Sequence, residues 1–77
     1  NQLDLITNDL KNILIILSKN NIFHNDLHLK NIILDENNKI WIIDFGDAKI
    51  STDKDIYNIS KFQISHSAKC YGKKIIF

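Results

Sequence analysis

A chain of 77 residues, 44% of them hydrophobic, closes one small core, because a domain of this size buries only about 60% of its unfolded surface; a two-lobed enzyme does not fit in it. Ten lysines, no arginine and nine acids are mixed along the chain for a net charge of +1, leaving no basic face for nucleic acid and no acidic tail. A single cysteine, Cys70, rules out an internal disulfide, and no apolar run approaches the ~20 residues that span a bilayer, so the expectation is a soluble, cytoplasmic protein with no membrane partner.

The first element is a helix over residues 3–19, where Leu3, Ile6, Leu10, Ile13, Leu14 and Leu17 fall at helical spacing. Ile15 and Ile16 widen that stripe, which predicts burial on more than one side. A short polar turn, residues 18–21, ends the helix. The stretch that follows, residues 22–49, reads IFHNDLHLKNIILDENNKIWIIDFGDAK. Within it, residues 32–34 and 40–43 are β-branched apolar runs, and the polar residues 35–38 between them suit a hairpin turn in which Asn tolerates positive φ.

Folding that hairpin brings its open ends together. Asn31 stands just before the first strand and Asp44 just after the second, so an amide and a carboxylate arrive side by side. Asp26, on a loop five residues upstream of Asn31, reaches the same place. Two carboxylates and an amide oxygen beside Gly46 make a hard-oxygen site suited to Mg²⁺, which favours one or two carboxylates plus substrate phosphates over a complete protein cage. The remaining carboxylate is then free to accept a proton.

After Gly46 the chain is polar, then regains apolar periodicity at Ile56, Ile59, Phe62 and, at the edge of the pattern, Ile64. This predicts a helix over residues 53–63 with Thr52 or Asp53 as its N-cap, and Asp55 suits the positive end of the helix dipole. Beyond Ser65 the pattern decays into polar sequence, and Ile75, Ile76 and Phe77 read as a short strand or the start of a further element. No repeat or low-complexity linker divides the chain, so one domain is expected.

His24-Asn25-Asp26, then Asn31, then a hairpin and Asp44-Phe45-Gly46 resemble the catalytic segment of the protein-kinase-like superfamily, whose pattern is His-x-Asp, an Asn five residues after that Asp, and Asp-Phe-Gly. The resemblance implies an α+β fold, a fragment of a protein-kinase-like C-terminal lobe in the order long helix, catalytic loop, β-hairpin, Asp-Phe-Gly turn and short helix. It implies Asp26 as the base that orients the attacking hydroxyl, Asn31 and Asp44 as Mg²⁺ ligands, Phe45 as the residue packing Asp44 in place beside Gly46, and ATP as phosphoryl donor. His24 would brace the catalytic loop. The substrate implied is a hydroxyl of protein Ser/Thr or of a small molecule.

The departures carry information. Asn25 stands where regulated protein kinases commonly have Arg, and Asp26-Leu27-His28 replaces Asp-Leu-Lys, so Lys30 becomes the candidate for the displaced positive charge. Asp-Leu-His with Asp-Phe-Gly-Asp-Ala is closer to the aminoglycoside and choline kinase branch or to atypical small kinases. There is no Gly-rich phosphate loop and no Val-Ala-Ile-Lys strand; the only glycines are Gly46 and Gly72. With no Met anywhere in the sequence, the chain is expected to be a piece of a longer protein, and a missing N-terminal lobe or partner chain is required to grip the nucleotide. The alternative reading is a degenerate kinase relic acting as a binding module. Elsewhere the plain readings lead: His28 and His66 as structural or solvated imidazoles, Trp41 as core or hairpin flank, Lys73 and Lys74 as a solvated pair, Cys70 as a partly buried thiol.

Overall fold

The computed structural model describes residues 2–73, with side chains described from Leu5 onward. Helix α1 (Gln2–Lys19) leads into strand β1 (Ile22–Phe23), a loop ending in the 3₁₀ turn Leu29–Asn31, strands β2 (Ile32–Leu34) and β3 (Ile40–Ile42), a second 3₁₀ turn Phe45–Asp47, strand β4 (Lys49–Ile50) and helix α2 (Ile56–Cys70). The strands form two antiparallel ribbons, β1 with β4 and β2 with β3. Two helices and two small antiparallel sheets make the α+β class expected of the sequence.

The core is a cluster of Leu10, Leu14, Leu27, Ile40 and Ile64, with Ile6, Ile13, Ile32 and Ile42 packed against it. Leu10 and Leu14 are four residues apart on one face of α1, as the periodicity requires. Ile16 lies about 200° around the helix from Leu14 and is exposed. The helix is therefore buried along one face, and the expected second buried side is not found. Ser18 Oγ donates to the Ile15 carbonyl and Asn20 Nδ2 to the Ile16 carbonyl, which satisfies acceptors that the end of any helix leaves open.

The β2–β3 hairpin pairs Ile32 with Ile42, Ile33 with Trp41 and Leu34 with Ile40. Alternation along the strands sends Ile32, Ile40 and Ile42 toward the core and leaves Ile33 and Trp41 exposed. Trp41 is thus a flank of the hairpin. Its turn closes with the Asn38 N–H on the Asp35 carbonyl and the Asp35 N–H on the Lys39 carbonyl. Asn38 takes φ 61°, the left-handed residue that a three-residue hairpin loop places after its turn.

The other ribbon, Ile22 against Ile50 and Phe23 against Lys49, has no counterpart in the sequence expectation, because two-residue strands carry no periodicity. Helix α2 also differs from its expected span of residues 53–63. Neither Thr52 nor Asp53 caps it: Asp53 Oδ1 accepts the Asp55 N–H in a turn that precedes the helix, and Asp55 holds the N-cap position without a side-chain cap bond. At the other end the helix continues through Ser65 to Cys70. Its buried face is Ile56, Ser60, Ile64, Ser67 and Ala68, while Ile59 and Phe62, expected to face inward, are exposed. Ser60, Ser67 and Ala68 share the buried face and Ser67 meets the loop before β2, so small residues hide the inward stripe from an apolar count. Cys70 is exposed and free, against the expected partial burial. Residues 75–77, the expected final strand, lie outside the described residues.

Candidate functional site

The loop between β1 and β2 is organised by His24, whose side chain is 1% exposed. Its Nδ1 accepts the Asp26 N–H at 3.2 Å. A backbone carbonyl can only accept, so the 2.8 Å contact between Nε2 and the Ile43 carbonyl places the ring proton on Nε2. One imidazole therefore fastens the backbone of Asp26 to the residue preceding Asp44. The Phe45 ring meets His24 edge-on at 4.6 Å and 61°, a favoured aromatic geometry. Asn25, at φ 72°, adds a bond from Nδ2 to the Asp47 carbonyl at 3.4 Å.

Asn31, 5% exposed, makes the second connection. Its Nδ2 donates to the Asp26 carbonyl at 2.8 Å and to His28 Nε2 at 3.2 Å, and its backbone carbonyl accepts the Ile43 N–H at 2.9 Å. With the donor side of the amide spent on the loop, Oδ1 is the side-chain atom left for a ligand. The bond to Ile43 continues the hairpin register by one step, so Asn31 and Asp44 stand at the same open end, as the sequence predicts. Asp44 is exposed, at φ 62° and ψ 65°. Asp is among the few L residues that visit this left-handed region. A Cβ added at Gly46 would meet Asp44 Oδ1 at 3.4 Å, so the carboxylate lies over the glycine.

Asp26 is half-buried, with Oδ1 at 3.8 Å from His28 Nε2. Lys30 is exposed on the 3₁₀ turn between Asp26 and Asn31, and among the described residues it forms no ion pair with either aspartate. Among those residues no three His, Cys, Asp or Glu side chains group as a metal cage. The available donors are the Asn31 amide oxygen and the Asp44 and Asp26 carboxylates, hard oxygens of the kind Mg²⁺ accepts when substrate and water complete its shell.

Two further contributors come from α2. Gln63 Oε1 accepts the Leu27 N–H at 3.4 Å, and Ser67 Oγ accepts the Leu29 N–H at 3.0 Å, so the helix holds the loop from below. No sequence signal marks bonds that span more than thirty residues from a loop N–H to an ordinary polar side chain. His28, read as solvated or structural, proves to be tied to Asn31. Between this loop and α2 lies a cleft of about 260 Å³. A larger apolar groove of about 450 Å³, beside Ile13, Ile16 and Trp41, contains none of these residues.

A long helix, a His-x-Asp loop braced by a buried imidazole, and a hairpin carrying Asn at its entrance and Asp-Phe-Gly at its exit define a kinase-like domain. The family model of the ABC1 atypical kinase-like domain matches residues 1–73, and the chain belongs to that family. No curated protein and no solved structure matched it. The kinase-like family generally uses ATP and Mg²⁺.

Proposed function

We propose that this chain carries the metal and base half of an ATP- and Mg²⁺-dependent phosphotransferase site acting on a hydroxyl. The observation that supports it best is the position of Asn31, whose amide nitrogen is held by the Asp26 carbonyl and whose backbone carbonyl is held by Ile43. One residue thereby ties the base loop to the strand that delivers Asp44. In this reading Asn31 Oδ1 and the Asp44 carboxylate hold Mg²⁺, which supplies charge neutralisation at the donor phosphates. Phe45 and Gly46 keep Asp44 in place, one by packing on His24 and the other by leaving room for the carboxylate.

Asp26 accepts the proton of the substrate hydroxyl as that oxygen forms its bond to the γ-phosphorus. The bond from phosphorus to the β,γ-bridging oxygen breaks, ADP leaves with that electron pair, and the proton later passes from Asp26 to solvent. Lys30 is free to approach the transferred phosphate. The grip on adenine and on the α- and β-phosphates comes from outside these residues, from a second lobe or a partner chain, because the sequence has no Gly-rich loop. Phosphoryl transfer depends on positioning, so these 77 residues alone are expected to give no measurable turnover.

The test compares two variants of the intact kinase-like protein. Asp44→Asn weakens Mg²⁺-dependent nucleotide binding and nearly abolishes turnover. Asp26→Asn lowers turnover by about 10²–10⁴ with nucleotide affinity kept, because a base acts on the chemical step. Equal loss of ATP affinity in both variants contradicts these roles, and a protein that binds no Mg·ATP leaves the non-catalytic binding module as the better reading.

A further inference from the structure

The Asp44 carboxylate makes no hydrogen bond to the 3₁₀ turn that follows it, so its direction follows from the backbone that carries it. Every residue from Ile43 to Asp47 is exposed, and burial does little to hold that backbone. Two consecutive residues of the loop hold it from both ends instead. His24 Nε2 donates to the Ile43 carbonyl at 2.8 Å, immediately before Asp44, and Asn25 Nδ2 donates to the Asp47 carbonyl at 3.4 Å, immediately after Gly46. Between these anchors the Ala48 N–H closes the turn on the Phe45 carbonyl at 3.0 Å. Asn25 reaches across from a left-handed backbone, φ 72°. Asn meets both demands of that position: it tolerates positive φ better than most L residues, and its amide is a donor on a short stem.

We infer that Asn25 is a positioning residue for the metal ligand: its amide holds the downstream end of the Asp44-Phe45-Gly46 turn and so fixes the Asp44 carboxylate at the hairpin end it shares with Asn31. The inference rests on the phosphotransferase reading, which makes Asp44 a ligand, and extends it to a residue that touches neither metal nor substrate. The two anchors are not equivalent. His24 is buried, so its loss would disturb the packing of the loop. Asn25 is exposed, so cutting back its side chain opens no cavity and releases only the turn. A cation held by a few side-chain oxygens in an open site depends on their mutual placement, and loosening one arm lowers affinity without unfolding the chain.

The test uses Asn25→Gly, which keeps the left-handed backbone and removes the amide, beside Asn25→Ala, which removes the amide and also strains the backbone. Mn²⁺, a paramagnetic substitute for Mg²⁺, is titrated into the ¹⁵N-labelled chain, and the concentration that half-broadens the Asn31 and Asp44 amides is read. Asn25→Gly is expected to need about two- to tenfold more Mn²⁺, the range that corresponds to one ordinary hydrogen bond. Its ¹⁵N order parameters should fall over residues 44–48 and stay at wild-type values at Leu14 and Ile64. A wild-type Mn²⁺ response in Asn25→Gly, with loss confined to Asn25→Ala, shows that only the backbone of this residue matters and overturns the inference. A fall in order parameters at Leu14 and Ile64 as large as that in the turn overturns it as well. No broadening of Asn31 and Asp44 in the wild type is instead the failure of the phosphotransferase reading. The order parameters then decide the role of Asn25 by themselves: a turn loosened in Asn25→Gly supports it, and an unchanged turn overturns it.

Discussion

Asp35 closes the hairpin with both oxygens of one carboxylate: Oδ1 accepts the N–H groups of Asn37 and Lys39, and Oδ2 accepts the Trp41 indole N–H at 2.9 Å. The Trp41 bond first, then that to Lys39, holds the Asp35 carboxyl below its ordinary range. A carboxylate depressed in the folded state contributes stability above its unfolded value and loses it as pH falls through the folded value. The hairpin should therefore loosen below pH 3.8, the ordinary aspartate value. Emission from Trp41, the only tryptophan, should change in that acid window in the wild type and stay flat in Asp35→Asn; a change of equal size in both variants contradicts the assignment. The sequence showed that residues 35–38 turn, yet it gave no sign that one aspartate would gather three donors. Left-handed backbone at Asn21, Asn25, Asn38 and Asp44 follows the same division. The residue types permit it, and only the packing around each decides where it is used.

Helix α2 shows what apolar counting misses. Of the sequence stripe Ile56, Ile59, Phe62 and Ile64, the structure buries Ile56 and Ile64 and exposes Ile59 and Phe62, and the buried face is completed by Ser60 and Ser67–Ala68. Small side chains make up most of that face beside Ile64, and Ser67 serves the catalytic loop as an acceptor. Ile64, fully buried in the central cluster, should cost about 2–5 kcal/mol when cut to alanine, a large share of the ~5–15 kcal/mol that holds a domain together. Phe62→Ala should stay within about 0.5 kcal/mol of wild type, as surface changes usually do. Urea unfolding midpoints compare the two, and comparable losses contradict the burial assignment. By contrast α1 and the β2–β3 hairpin were legible because their periodicities run long enough to be distinguished, and their residues match the buried positions at Leu10, Leu14 and Ile40.

Over the molecule as a whole, the order of helix, loop, hairpin and turn was readable from the sequence, and the family match over residues 1–73 agrees with the kinase-like class. The brace from α2 and the β1–β4 ribbon were not, since each joins stretches that carry no local mark of their partner. That ribbon joins the two ends of the segment that carries the candidate site. Ile22 pairs with Ile50 and Phe23 with Lys49, and Ser51 N–H adds a 2.8 Å bond to the Asn21 carbonyl, so the chain that supplies His24, Asp26, Asn31 and Asp44 leaves and returns through one short clasp.

Such a clasp makes the whole segment a candidate cooperative unit for native-state hydrogen exchange, able to open and close without the two helices separating. Ser51→Pro removes the N–H that extends the clasp. In that variant the amides of Asn31 and Ile43 should exchange faster together, by the same factor, while Leu14 and Ile64 keep their slow rates. Acceleration spread equally through both helices would show instead that the segment opens only when the entire chain unfolds.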